Sequence, residues 1–213
     1  HKNTRKIERK MEEGARTNNF PRHEVVLPSE WKMDQDKLRF VLDDVYTEEE
    51  CTEIMSRTDQ LFEQDSKGDE YFLSIMEDDQ DFADQILQRV QSYLPDTFKG
   101  KKIYGMDKTI RFLRYKPEKR NQLAPHFDGM ITGKDNSRSY ITVHLYLNEG
   151  ITGGSTRFFD SSLGIQGRKS KEFVDINPKT GSILIFQQDM YHSGTEVTAG
   201  TKYTVRVNVM YKQ

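Results

Sequence analysis

Residues 202–211, Lys-Tyr-Thr-Val-Arg-Val-Asn-Val-Met-Tyr, decide how this chain folds. Valine recurs at positions 205, 207 and 209. In an extended strand, residues two apart share a face. Tyr203, Val205, Val207 and Val209 therefore make one apolar face. Lys202, Thr204, Arg206, Asn208 and Met210 make the other.

Working outward, further short strands read as TIRFLRY (109–115), SYITVHLYL (139–147), STRFF (155–159), EFVDI (172–176) and SILIF (182–186). Gly, Pro, Asn and Asp cluster between them. Upstream, LRFVLDDV from Leu38 reads as a strand. Thr47 followed by Glu50 is a capping-box signature, and Ile54, Leu61 and Phe62 give the following helix an apolar side. Phe82, Ile86, Val90 and Tyr93 form a helical stripe over about 79–93. Helices followed by many short strands, without βαβ alternation, predict a mainly β fold with flanking helices, an antiparallel sandwich or open barrel. Residues 1–37 read as a polar extension, disordered in part or laid over the surface, and 38–213 as the domain. The basic residues Lys2, Arg5, Lys6, Arg9 and Lys10 in that extension read as a solvated end in preference to a targeting or docking element.

Of the 213 residues, 34% are hydrophobic and 31% charged, with a net charge of −2 and both signs interspersed. That balance predicts no nucleic-acid footprint. No apolar run approaches the ~20 residues of a spanning helix, so no membrane partner is expected of this fragment. The one cysteine, Cys51, cannot form an internal disulfide and reads as a buried structural thiol. A single cysteine slightly favours cytoplasm or nucleus. The chain opens on His1 rather than Met, so a removed signal or anchor leaves localisation open.

The chemistry centres on Pro125-His126-Phe127-Asp128. In an extended strand, His126 and Asp128 present an imidazole and a carboxylate to one ion. His192, in the loop between the apolar strand 182–186 and the last strand, is the candidate third ligand. Two histidines and one carboxylate on one face of an octahedron leave positions open, as non-haem iron(II) oxygenases require. A structural zinc site would be closed and tetrahedral.

Lys202 follows His192 by ten residues, in Gly200-Thr201-Lys202-Tyr203. With that residue the chain resembles the Fe(II)/2-oxoglutarate-dependent oxygenases, and more narrowly the prolyl 4-hydroxylase-like group, from about residue 38 to 211. Arg114-Tyr115, Tyr146-Leu147-Asn148, Gly153-Gly154-Ser155-Thr156, Pro178, Gly181 and Phe186 match in order. The resemblance implies a distorted double-stranded β-helix, a jelly-roll or cupin-like core. It implies iron(II) and 2-oxoglutarate as cofactors, with dioxygen, and admits ascorbate.

It further implies that Lys202 pairs with the far (C5) carboxylate of 2-oxoglutarate. Tyr146 looks like the hydrogen-bond donor to that carboxylate, and Tyr115 like the tyrosine near the iron-bound end. Each can instead be a core aromatic with a satisfied hydroxyl. If Lys202 points inward, so do Thr204, Arg206 and Asn208. Two inward cations are costly without anions. Arg206 then serves a substrate acid or an internal carboxylate, or is itself the main 2-oxoglutarate anchor, since a guanidinium grips a carboxylate bidentately. His144 lines the pocket rather than binding the metal. The segment from Gly129 to Asn136 suits a lid or a solvated hairpin connection.

Kinship favours a prolyl residue in a peptide or protein as the substrate. The alternatives are a free amino acid or small metabolite and, in another class, a catalytically silent metal- or 2-oxoglutarate-binding module.

Overall fold

A computed structural model describes residues 19–64, 74–118, 121–164 and 171–213. The basic cluster between Lys2 and Lys10 lies outside the described residues. The elements run β1 (Arg22–Glu24), β2 (Arg39–Leu42), α1 (Glu48–Gln64), β3 (Ser74–Asp78), α2 (Gln80–Val90), β4 (Thr97–Phe98), β5 (Lys101–Met106) and β6 (Thr109–Tyr115). They continue with β7 (Leu123–His126), β8 (Arg138–Tyr146), β9 (Thr152–Gly153), β10 (Thr156–Phe158), β11 (Val174–Ile176), β12 (Ile183–Gln187), β13 (His192–Gly194), β14 (Val197–Ala199) and β15 (Lys202–Lys212). Antiparallel pairing arranges them in a large sheet ordered β1-β2-β12-β8-β15-β5-β4, with β6 also on β15 and β3 on β6. A smaller sheet is ordered β11-β10-β13-β7.

Strand alternation in β15 sorts its residues as the sequence predicts. Val205, Val207 and Val209 are buried in the cluster under the helices, with Val143, Leu145, Phe112, Ile183, Phe82 and Ile86. That face is the scaffold. Lys202, Thr204 and Asn208, of opposite parity, are buried too, although polar. Between the sheets a second cluster unites Tyr146, Phe158, Leu184, Phe186 and Met190 with Val25, Leu27 and Trp31. The last three belong to the stretch read as an extension, and β1 pairs in register with β2, so residues from about 20 lie against the domain.

Local signals act as expected. Thr47 N donates to Glu50 Oε2 (2.9 Å), and Glu50 N to Thr47 Oγ1 (3.2 Å), a reciprocal capping box at the start of α1. Asp79 caps α2 by accepting from Phe82 N at 2.9 Å, and a single 3-10 turn, Gln91–Tyr93, ends that run. Cys51 is fully buried, and burial pushes its thiol up to about 11. It is inert packing. The strand from Leu38 is shorter than the sequence suggests, ending at Leu42. Asp44 then takes a positive φ of 57°, which ends pairing. Residues 131–139 form a hairpin connection closed by Gly133 N to Ser137 O and Ser139 N to Ile131 O, the second of the two expectations for that segment.

Candidate metal centre and dicarboxylate pocket

Two strands, and the segment that follows the first of them, bring the predicted ligands together. His126 ends β7 and His192 begins β13, and the two are direct cross-strand partners. Their rings stand 4.4 Å apart, centroid to centroid. Asp128 lies two residues past the end of β7 rather than within a strand, because its N–H leaves the ladder to donate to Gln188 O at 3.0 Å. His192, expected in a loop, belongs to β13. Its neighbours β7 and β10 hold it on both sides. The potential ligand atoms of His126, Asp128 and His192 all lie within 4.8 Å of one another.

Each ring is turned by its own backbone. Nδ1 of His126 lies 2.8 Å from Ala124 O, and Nδ1 of His192 lies 3.0 Å from Met190 O. A carbonyl can only accept, so each Nδ1 carries the proton and each Nε2 offers its lone pair inward. Those Nε2 atoms face Asp128 Oδ1 at 3.3 and 3.8 Å. Asp128 Oδ2 accepts from Thr142 Oγ1 at 2.6 Å, which leaves Oδ1 for an ion. Oδ1 is buried without a hydrogen bond of good geometry, although Arg206 stands 2.9 Å from it as an ion-pair partner. Donors about 2.1 Å from a common ion at right angles stand about 3 Å apart, so this set fits iron(II).

Electrostatics agree with a ligand role. Burial alone would raise the Asp128 carboxyl. The His126 and His192 rings, Arg206 and Thr142 outweigh it and hold the group well below the usual carboxylate range. Burial pushes His192 down to about 4, against the opposing pull of Asp128. Both groups are therefore in their metal-binding forms at neutral pH.

From this centre an interior row of polar groups runs along β8 and β15. Asn208 pairs with Thr142, Arg206 with His144, and Thr204 with Tyr146. Beyond them Lys202 pairs with Tyr115 of β6. Lys202 is 1% exposed, and its ammonium lies 4.8 Å from the Tyr115 ring centroid and 5.5 Å from that of Tyr146. It forms no ion pair or hydrogen bond with another described residue, and burial pushes it down to about 7. Tyr146 Oη donates to Thr156 Oγ1 at 2.7 Å. The Tyr115 and Tyr146 hydroxyls are raised by burial. His144 is buried outside the ligand cluster, its Nε2 and the hydroxyl of Thr204 unpartnered. Burial, then Lys202 and Arg206, keep His144 far below its ordinary value and hence neutral.

Gly154, with Gly153 before it, walls the Lys202 end. Both have positive φ, 78° and 74°, and a Cβ on Gly153 would meet Glu196 O at 2.0 Å. A Cβ on Gly154 would press on Lys202 Cδ at 3.2 Å. Thr142 and Gln188 are not singled out by the sequence, and Thr156 only as part of the Gly153–Thr156 match, without its bond to Tyr146. Thr142 could have been found from strand parity, because it stands two positions before His144; the other two required coordinates.

A His–Asp–His triad at one end of two antiparallel sheets fits the metal site of a non-haem iron oxygenase. Residues 110–210 match the model of the 2OG-Fe(II) oxygenase superfamily, and the chain belongs to that superfamily. Among solved structures it is similar to the viral collagen prolyl hydroxylase of Paramecium Bursaria Chlorella virus-1, at 17% identity and a TM-score of 0.57, covering 84% of this chain and 97% of that one. A Pseudomonas putida prolyl-4-hydroxylase aligns at 16% identity and 0.56, covering 90% and 99%. The carbocyclase SnoK of nogalamycin biosynthesis aligns at 12% and 0.59, covering 87% and 84%. Likeness at these identities is likeness of fold. A comparison with curated proteins finds no match. The protein is thus a 2OG-Fe(II) oxygenase with an HxD…H facial triad, His126, Asp128 and His192.

Proposed function

We propose that this protein hydroxylates a prolyl residue in a peptide or protein, using dioxygen and converting 2-oxoglutarate to succinate and carbon dioxide, with one oxygen atom going to the prolyl carbon and the other to succinate. The observation that carries the 2-oxoglutarate part is Lys202, a buried cation at the far end of the polar row that starts at the triad. A dicarboxylate that chelates the metal with one end needs a partner for the other where water is excluded. In this reading Lys202 holds the C5 carboxylate. Tyr146 turns its hydroxyl from Thr156 toward it, and Thr204 adds a hydroxyl between the two ends. Tyr115 lies beneath the Lys202 ammonium, and neutral His144 and Asn208 close the floor. His126, Asp128 and His192 would hold iron(II), which with 2-oxoglutarate supplies oxygen insertion into a C–H bond.

The prolyl substrate is supported by two of the similar structures, which are themselves prolyl hydroxylases. SnoK, with the same fold, carries other chemistry. Succinate formation that depends on added iron(II) and is abolished in His126→Ala tests the enzyme reading against a silent binding module. A panel of proline-containing peptides, alongside free proline and other amino acids, tests the substrate. A mass gain of one oxygen on a peptidyl proline is expected. Gain on a free amino acid alone would replace the peptide reading with the small-molecule one.

A further inference from the structure

The interior face of β6 and β15 carries two arginines that the metal and the C5 carboxylate leave unassigned. Arg111 and Arg206 are direct cross-strand partners. Side chains at such positions have Cβ atoms ~4.5–5.5 Å apart, and like charges there repel. Neither arginine is neutralised by a carboxylate of its own. The Arg206 side chain is 15% exposed, with Nε buried and unpartnered. Its one carboxylate neighbour among the described residues is Asp128, the candidate metal ligand. Arg111 meets Met76 Sδ at 3.7 Å and forms no ion pair among the described residues. Both cations act on the same hydroxyl, that of Tyr115.

Iron(II), Lys202 and Arg206 carry one positive charge more than Asp128 and a dicarboxylate neutralise, before Arg111 is counted. A site so enclosed has reason to receive an anion. We infer that Arg206 and Arg111 form an anion subsite that takes a carboxylate of the molecule to be hydroxylated. Two guanidinium forks suit a carboxylate's paired oxygens better than a neutral amide. Arg206 stands 2.9 Å from the Asp128 oxygen that faces the metal position. The carboxylate it holds therefore lies a few bonds from the carbon under attack. The inference rests on the proposed hydroxylase reading and narrows its substrate to one with a nearby acid. The acid is the α-carboxylate of a free amino acid or an acidic side chain beside a prolyl residue.

The test uses protein carrying zinc(II) in place of iron(II), with 2-oxoglutarate present, so that binding is read by calorimetry without turnover. One arm compares L-proline with L-prolinamide. The other compares short peptides in which the proline adjoins aspartate or asparagine. We expect the acid to bind at least tenfold tighter than its amide in one arm, which names the source. Arg206→Gln and Arg111→Gln should each cut that preference below threefold. Arg111→Gln touches no metal ligand and so serves should Arg206→Gln disturb Asp128. Equal binding of acid and amide in both arms, or no binding in either, overturns the subsite. So does a loss of 2-oxoglutarate affinity in Arg206→Gln as large as in Lys202→Met, which would make Arg206 the cosubstrate anchor. Failure of the hydroxylase reading shows separately. An acid preference in the zinc(II) protein, with no mass gain on any bound compound once iron(II) and dioxygen are supplied, removes the prolyl reading and leaves the subsite. A prolyl peptide hydroxylated regardless of its neighbouring acid does the reverse.

Discussion

Replacing Lys202 by methionine should make the protein more stable and nearly unable to bind 2-oxoglutarate. With protein groups alone around it, Lys202 is 1% exposed, and burial brings it from 10.5 to about 7. At ~1.4 kcal/mol per pH unit, that gap corresponds to about 5 kcal/mol held against the charged form. Methionine has nearly the same length and no charge, so folding no longer has to desolvate or deprotonate an ammonium. Stability at pH 7 should rise by a few kcal/mol, at most about the 5 kcal/mol of that gap. The C5 carboxylate of 2-oxoglutarate would then be buried without its cation, a loss of about 3–5 kcal/mol, or roughly two to three and a half powers of ten in affinity. Denaturant unfolding gives the first quantity, and calorimetric titration of 2-oxoglutarate into zinc(II)-loaded protein the second. A Lys202→Met protein that is less stable, yet binds 2-oxoglutarate within threefold of the parent, would refute the reasoning.

The same ammonium sets a pH dependence. Its folded pKa lies below its unfolded one, so between about 7 and 10.5 the folded protein holds fewer protons. Its penalty on stability is complete below about pH 7 and fades as pH rises through that window. A dicarboxylate binds the charged form, so 2-oxoglutarate affinity should fall up to about tenfold per pH unit above the free-protein value, and Lys202→Arg should flatten the slope in calorimetry. Thr142→Val removes the 2.6 Å bond to Asp128 Oδ2; iron(II) affinity should drop about 10–100-fold by competition with a chelator, and an unchanged affinity would discard that support. Gly154→Ala puts a Cβ at φ 74° and 3.2 Å from Lys202 Cδ. It should cost about 1–3 kcal/mol of stability and weaken 2-oxoglutarate binding more than metal binding, a split read by titrating each separately.

Much of the site was legible in the chain itself, because it depends on short-range rules. The two-residue period of β15 separated Val205, Val207 and Val209 from Lys202, Thr204, Arg206 and Asn208, and the buried clusters follow that division. The Thr47–Glu50 box and the stripe from Phe82 to Val90 placed both helices, since capping and helical periodicity act within one or two turns. His126, Asp128 and His192 also stand out in the chain, but the two-residue strand spacing of His126 and Asp128 does not by itself aim the carboxylate. Asp128 is not in a strand, and its aim is set by Gln188 O and Thr142, residues far along the sequence.

Tertiary structure alone decided which distant residues face one another. The register of β7 against β13 sets His192 opposite His126, and that of β6 against β15 sets Arg111 opposite Arg206. It also brought Thr156 to Tyr146 and left a lysine in the interior beside two aromatic rings. Periodicity tells which face of a strand a residue occupies. Which residue stands opposite is set by strand pairing across loops of many residues, and no local preference encodes it.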